Sequence, residues 1–405
     1  MIKKDITIND VEGFKSIGID AKLRKEKREN LALIYAKNGA IASGVFTQNV
    51  IKAAPVIYNM KNIENENIKA VIINSGNANA CTGEVGYQNT EIIAKNIAKH
   101  LEIESEEVLV NSTGIIGVQL PMDKILSGIE KICTEVQNHN DKHSIARAIM
   151  TTDTKPKEIG VELELDGKKV KIAGIAKGSG MIHPNMATML GFIVTDINIT
   201  KDMLEKAFKP TIDKSFNMIS VDGDTSTNDT CIILSSRKAK NKLIDKEDKN
   251  FNKFKEALEY VNIELAKMIA ADGEGATKLL EVNVVNYKNE EEAKILAKSI
   301  ITSNLTKAAF FGADANWGRI LCAMGYSGVQ FTPNTLDLYF KSGKGEIKVF
   351  ENGLPIIFNE DKVKEILLEK EVIVIADFKT GEHSATAWGC DLTYDYVKIN
   401  GSYRS

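Results

Sequence analysis

The chain changes hydrophobic rhythm repeatedly, and each rhythm predicts an element. Leu31-Ala-Leu-Ile-Tyr35, Gly44-Val-Phe-Thr-Gln-Asn49 and Ala70-Val-Ile-Ile73 are short apolar runs between turn residues, as in strands of a sheet. Asn74-Ser-Gly-Asn-Ala-Asn79 then reads as a turn, because asparagine side chains satisfy exposed backbone amides. Ile93, Ile97 and Leu101 recur at helical spacing between Glu91 and Leu101, and further helices are expected over Ile125 to Val136 and Ser144 to Met150. Val161-Glu-Leu-Glu-Leu165 and Val170-Lys-Ile-Ala-Gly-Ile175 flank Asp166-Gly167, the mark of a two-residue hairpin.

The second half continues in the same mixed manner. Leu190, Phe192, Ile193 and Val194 suit a short buried strand, followed by a helix near Lys201 to Phe208 and a strand around Cys231 to Leu234. The charged stretch Arg237 to Asn250 reads as solvated surface. Phe254, Leu258, Val261, Leu265 and Met268 step by four and three along a long helix that stops near Asp272-Gly273. A strand at Leu279 to Val285, a helix from about Glu291 to Ile301, and strands at Ile347 to Phe350, Leu354 to Phe358 and Val372 to Phe378 complete the pattern. No phosphate loop of the GxGxxG or GxxxxGK[ST] kind opens a helix, which argues against nucleotide-binding folds.

At 405 residues the chain exceeds the length at which one core keeps growing, so two or three substructures are expected. Hydrophobic content of 43% and charged content of 26% are those of an ordinary globular protein. A formal net charge of -3 offers no field for nucleic acid or anionic membrane. No apolar segment is long enough to span a bilayer, and the start lacks the apolar core of a secretion signal, so a cytoplasmic location is expected. The five cysteines, Cys81, Cys133, Cys231, Cys322 and Cys390, form no CxxC pair and read as reduced structural thiols, with no metal site implied.

Candidate chemistry centres on Lys177-Gly-Ser-Gly-Met-Ile-His-Pro-Asn-Met-Ala-Thr-Met-Leu190. Gly178, Gly180 and Pro184 disfavour helix, so Thr188 stands where an irregular arm becomes a strand. It is either a nucleophile on a rigid support or an ordinary strand-edge threonine. Val108 to Val110 leads into Asn111-Ser-Thr-Gly-Ile-Ile-Gly117, expected to be a tight turn whose Thr113 hydroxyl and Gly114 amide form a plausible oxyanion hole. Ala271-Asp-Gly-Glu-Gly-Ala-Thr-Lys278 sets Glu274 between glycines, and Gly312-Ala-Asp-Ala-Asn-Trp-Gly-Arg319 crowds polar and aromatic groups together. Each of these is also readable as a turn.

Taken together, Asn74-Ser-Gly-Asn-Ala-Asn79, Ser112-Thr-Gly-Ile-Ile-Gly117, Thr151-Thr-Asp-Thr154, the Thr188 stretch, Gly273-Glu-Gly-Ala-Thr277 and Asp314-Ala-Asn-Trp-Gly-Arg319 resemble the glutamate N-acetyltransferase (ornithine acetyltransferase) family of arginine biosynthesis. That family belongs to the DmpA/ArgJ-like self-cleaving N-terminal-nucleophile superfamily. The resemblance implies an α/β (α+β) fold: an αββα sandwich carrying the nucleophile, with a smaller α/β C-terminal domain. The expected boundaries are 1–197 for the nucleophile-bearing sandwich, 198–276 for an α/β substructure completing the site, and 277–405 for a C-terminal domain whose tail returns to the site.

The resemblance also implies self-cleavage between Ala187 and Thr188, which frees an α-amine to serve as base for the Thr188 hydroxyl. Thr188 then takes the acetyl group from N2-acetyl-L-ornithine and passes it to L-glutamate in a ping-pong cycle. Thr113 and Gly114 form the oxyanion hole, and Thr154, Lys177, Thr188, Glu274, Asn400 and Ser405 contact substrate. Lys177 is the candidate for the substrate carboxylate and Glu274 for the cationic end of ornithine. No cofactor is required, with acetyl-CoA a further possible substrate, and the cleaved fragments are expected to assemble as an α2β2 heterotetramer. Asp314, Asn316 and Arg319 either line the site or anchor Trp317. The competing readings are a related self-cleaving aminopeptidase or amidase, and a non-enzymatic binding protein on the same fold.

Overall fold

The computed structural model describes residues 2–4, 6–183 and 189–402. In chain order its elements are β1 (Ile2–Lys4), β2 (Lys15–Ile19), β3 (Leu31–Phe46), α1 (Ala54–Asn62), β4 (Ile68–Asn77), α2 (Gly83–Leu101), β5 (Val108–Ile115), α3 (Met122–Glu135), α4 (Ser144–Ala148), β6 (Lys157–Leu165), β7 (Lys168–Lys177), β8 (Leu190–Thr195), α5 (Lys201–Asp213), β9 (Ile219–Ser220), β10 (Thr230–Ser235) and α6 (Lys249–Ala271). Then follow β11 (Leu279–Tyr287), α7 (Glu290–Thr302), α8 (Asn304–Phe311), α9 (Trp317–Gly325), β12 (Asp337–Ser342), β13 (Gly345–Glu351), β14 (Leu354–Pro355), α10 (Glu360–Leu367), β15 (Glu371–Asp377), β16 (His383–Cys390) and α11 (Tyr394–Gly401). These form two units: one from residues 2–178, 189–217 and Thr225–Leu265, the other from Ser179–His183, Met218–Asp224 and 266–402.

The first unit owes its layers to β3. Its first half, Leu31–Tyr35, pairs with β2 and β4, whereas Ile41–Phe46 pairs with β10. The register with β4 breaks between Tyr35 and Ala40, where Gly39 takes φ +77° and a Cβ would strike Asn67 Oδ1. The strand thereby serves two sheets. One layer runs β2-β3-β4-β5 and the other β3-β10-β8-β7-β6-β1.

Period-two alternation decides what lies between them. Ala32, Ile34, Val71, Ile73 and Leu109 from one layer share a buried core with Ala173, Ile175, Phe192, Val194, Ile232 and Leu234 from the other. Each fully buried aliphatic or aromatic side chain there contributes about 1.5–3 kcal/mol. The opposite face of the first layer, with Leu33, Ile72 and Val110, packs on Ile93 and Ile97 of α2 and Ile125 and Ile129 of α3. On the far side, Val261 and Leu265 of α6 approach Gly174 of β7, at a spot where a Cβ would lie 2.8 Å from Leu265 Cδ1. The unit is an αββα sandwich.

The second unit is a mixed sheet in the order β14-β13-β12-β15-β11-β16-β9. Parallel β11 and β15 form its centre, with antiparallel β16 beside β11. Helix α7 covers one side, where Ile301 approaches Gly389 of β16. Among the described residues no helix is long and apolar enough to cross a membrane. The cysteines are free; Cys133, Cys231 and Cys390 are buried, and Cys81 and Cys322 are exposed.

Several elements depart from expectation. Asn74–Asn77 is not a turn but the end of β4, because β5 supplies a parallel partner for its backbone. For the same reason the strand does not stop before Thr113; β5 continues to Ile115. Helix α2 begins at Gly83, eight residues before the expected start, and α5 runs on to Asp213 through Pro210. Conversely, β14 is only Leu354–Pro355, since proline brings no N–H to the ladder, and Ile357 is exposed.

Candidate active site

In the sandwich unit, β4 and β5 run parallel with Asn74 opposite Ser112, Ser75 opposite Thr113 and Gly76 opposite Gly114. Gly76 and Gly114 have φ of +134° and +132°, and a Cβ on Gly114 would lie 2.3 Å from the Gly76 carbonyl carbon. Glycine is therefore required at Gly114 by both torsion and space. Register slips immediately afterwards, between Gly76 and Asn77. Behind this slip Ser112 Oγ donates to Asn74 Oδ1 at 2.6 Å, and Asn74 Nδ2 donates to Asn77 O at 2.9 Å. Thr113 is buried, yet its hydroxyl makes no hydrogen bond among the described residues. A held backbone with an uncommitted hydroxyl has the makings of a preorganised donor.

The same unit buries charge at the end of β7. The Asp153 side chain is fully enclosed. Its Oδ1 accepts from Lys157 Nζ at 2.7 Å and from the Gly178 amide at 2.7 Å, its Oδ2 accepts from the Thr151 amide at 2.8 Å, and Lys177 Nζ stands 4.0 Å from Oδ2. Burial alone would raise its pKa; the Lys177 and Lys157 ammoniums and the donors outweigh burial and hold the carboxyl well below the usual range. Asp229, just before β10, is also buried, but its Oδ2 has no hydrogen-bond partner among the described residues. There burial dominates, opposed only in part by Ser226, Lys177 and Thr47, and the pKa rises well above the ordinary value. The Lys177 charge thus acts on both acids, holding Asp153 low together with Lys157 and opposing the rise at Asp229 only in part.

The second unit holds Glu274, which is buried, with its carboxylate against Gly180; a Cβ there would fall 2.3 Å from Oε2. Asn400 Nδ2 donates to Glu274 Oε2 at 2.7 Å. The terminal helix α11 is fastened to this loop at its other end too, since Thr393 Oγ1 donates to Gly275 O at 2.7 Å while capping α11 through the Tyr396 amide. Asp222 accepts from the amides of Met181 at 2.7 Å and Ile182 at 2.9 Å. His183 Nδ1 lies 3.1 Å from Ser220 Oγ. Burial, then Lys298, push the imidazole pKa down to about 4, so the ring is neutral near pH 7.

Of the residues expected at the site, the structure brings Glu274 and Asn400 together, and sets Thr113 beside Gly114 on one strand. Lys177 is buried against Asp153, and Thr154 is exposed. Ala187, Thr188 and Ser405 lie outside the described residues. Asn316 caps α9 through the Arg319 amide and donates to Asp314 Oδ2 at 3.0 Å, Arg319 donates to Leu305 O at 2.9 Å, and Trp317 stacks on Phe350. That is a capping network. No group of residues able to hold a metal is found among the described residues.

Sequence reasoning passed over Asp153, Lys157, Asn228 and Asp229. Asp153 stood inside the Thr151 to Thr154 motif without a role. The polar pair Asn228-Asp229 gave a faint signal by directly preceding a strand that is buried throughout.

Comparison with known proteins agrees over nearly the whole length. The model of the ArgJ family matches residues 15–405. The arginine biosynthesis bifunctional protein ArgJ of Caldanaerobacter subterraneus subsp. tengcongensis is 54% identical over 394 residues, 97% of each chain. Its counterpart from Thermotoga neapolitana is 52% identical over 395 residues, 97% of this chain and 99% of the other. Among solved structures, the arginine biosynthesis bifunctional protein argJ of Bacillus halodurans aligns with a TM-score of 0.50 at 43% identity, covering 52% of this chain and 98% of that one.

Proposed function

The chain belongs to the ArgJ family, and from that premise we propose that it moves the acetyl group of N2-acetyl-L-ornithine to L-glutamate through an acetyl ester of Thr188. The observation that carries this reading is the Thr113–Gly114 end of β5, a glycine-only backbone approach beside a threonine hydroxyl that makes no hydrogen bond among the described residues. Such a pair of donors suits the tetrahedral oxyanion of acyl transfer, where each donor is worth about 2.7–4 kcal/mol of transition-state stabilisation.

A threonine hydroxyl needs a base. His183 is tied to Ser220 in the second unit, and no histidine is assigned that part. Cleavage of the Ala187–Thr188 bond supplies one instead: attack of Thr188 Oγ on the Ala187 carbonyl, an N-to-O acyl shift and hydrolysis of the ester leave a free α-amine on Thr188. Its reference pKa of roughly 7.7–8.0 suits proton transfer near neutrality. The amine accepts the hydroxyl proton as Oγ attacks the acetyl carbonyl, and returns it to the departing amine of ornithine. Glutamate then attacks the ester through its own amine, and Thr188 is regenerated.

Lys177 receives the α-carboxylate of either amino acid. Lys177 is buried at the end of β7, where its Nζ stands 4.0 Å from Asp153 Oδ2. Glu274, oriented by Asn400, accepts the cationic end of ornithine; Thr154 and Ser405 complete the substrate contacts. Because the relatives are called bifunctional, we assign acetyl-CoA as a second donor for glutamate. The mature protein is a cytoplasmic α2β2 heterotetramer, and its domains follow the boundaries 1–197, 198–276 and 277–405.

Intact-mass measurement beside a transfer assay tests the mechanism. Two fragments, the second beginning at Thr188, and their loss together with activity in Thr188→Ala are expected. A single uncleaved species with full transfer activity would overturn it. Amide hydrolysis faster than transfer to glutamate would instead mark a hydrolase, because transfer requires a site from which water is excluded.

A further inference from the structure

Asn228 lies just before β10, in the sandwich unit, and is buried. Its Nδ2 donates to Ser112 O at 2.8 Å and to Ala78 O at 2.6 Å, while its Oδ1 accepts from Thr227 Oγ1 at 2.7 Å. The amide is therefore fully engaged and cannot flip without losing bonds. Ser112 O belongs to the peptide that enters Thr113. On the other side of the same segment, the Ala78 amide donates to Ile115 O at 2.9 Å. Thr113 and Gly114 are thus bracketed by two hydrogen bonds, and both brackets lead back to one side chain: directly at Ser112, and through Ala78 at Ile115.

The other end of the connection is strand β8. Thr230 pairs in parallel with Leu190, and the Thr230 amide donates to Met189 O at 2.9 Å. Asn228 precedes Thr230 by two residues, and Thr188 precedes Leu190 by two. The side chain that brackets the donors therefore grows from the segment that anchors the strand following Thr188.

We propose that Asn228 is a positioning residue for acyl transfer: it sets the Thr113 and Gly114 donors against the nucleophile strand, and so governs the stability of the oxyanion in both half-reactions. This rests on the function proposed above. The donors must meet the developing charge within tenths of an ångström, and a misplacement of about 1 Å costs roughly 100-fold in rate. Truncating Asn228 also strands the Ser112 and Ala78 carbonyls, so the segment relaxes toward new partners.

A double-mutant cycle between Asn228→Ala and Thr113→Val, with rates counted per matured Thr188 site, tests the assignment. Asn228→Ala is expected to lower kcat about 10- to 100-fold, whether release of ornithine from N-acetylornithine or acetylation of glutamate is followed, with KM for N-acetylornithine within about twofold of wild type. Combined with Thr113→Val it should cost little beyond the larger single loss, because both act on one oxyanion. Additive losses, or a change in KM alone, would reduce Asn228 to a structural clamp and overturn the proposal. Should Asn228→Ala not accumulate, Thr227→Val, which removes only the hydroxyl orienting the amide, takes its place in the cycle; a smaller but still non-additive loss is expected, and an unchanged kcat overturns the proposal. If Thr113→Val alone keeps full activity, the oxyanion reading falls, and this inference with it.

Discussion

The turn at Thr151–Asp153 and the turn at Ser226–Asp229 bury carboxyl groups in one unit, under the influence of one lysine, and leave them in opposite states. Burial pushes both toward the neutral acid. Asp153 escapes because two backbone amides, Lys157 Nζ and the Lys177 charge converge on its two oxygens. Asp229 does not, since Ser226, Thr47 and Lys177 oppose burial only in part and its Oδ2 has no hydrogen-bond partner among the described residues. The charge of an enclosed carboxyl is decided by the donors that the backbone delivers to it, and the presence of a cation nearby is not enough.

Removing Asp153 should give the largest change. Asp153→Ala removes the counter-charge of Lys157, whose side chain is 2% exposed, and of the nearby Lys177, and a loss of about 3–5 kcal/mol in urea denaturation is expected. An effect below 1 kcal/mol would mean that the pair is not enclosed as described. Lys177→Met comes next. It takes away the cation assigned to the substrate, and kcat/KM for N-acetylornithine and for glutamate should fall by about 10- to 100-fold, the worth of a charged hydrogen bond. Equal losses for both amino acids are expected in steady-state kinetics, and a loss confined to one of them would contradict a shared carboxylate contact.

Asp229→Asn tests the other member of the pair through pH. A carboxyl whose folded pKa is raised stabilises the fold below its unfolded value near 3.8, and that contribution is lost as pH rises through the folded value. The variant cannot ionise, so its melting midpoint should exceed that of wild type at pH 8, by at least roughly 2–4 °C, with the gap closing toward pH 4. A gap that widens on acidification would reverse the assignment. The smallest effect belongs to an exposed control: Lys206 and Glu247 are 3.3 Å apart with side chains 58% and 60% exposed. Lys206→Ala should change stability by less than about 1 kcal/mol in the same denaturation experiment.

Much of the fold was legible along the chain because burial imposes a period. The stripe Phe254, Leu258, Val261 and Leu265 is entirely buried in α6, the Asp166–Gly167 turn joins β6 to β7, and the run from Leu190 to Val194 is β8. The end of β4 misled for a physical reason: Asn74, Ser75, Gly76 and Asn77 have turn-forming side chains, and only a parallel neighbour makes them a strand. The Leu354 to Phe358 run misled in the other direction, being apolar but largely exposed. Of the site, the local motifs around Thr113, Lys177 and Glu274 were readable, whereas the partners that fix them were not. Asn228 lies 116 residues from Ser112, and Asn400 lies 126 from Glu274.

The amino-acid sequence by itself determined the family, the alternation that builds the sandwich, and which hydroxyls and charges were available, because those properties reside in residue type and in spacing over a few positions. Only the tertiary structure decided which buried acid stays ionised, which hydroxyl is left uncommitted, and which amide ties one strand to another. Such outcomes depend on donors and acceptors brought together from distant parts of the chain, whose enclosure from water makes each hydrogen bond or unpaired charge count for far more than it does in an open segment.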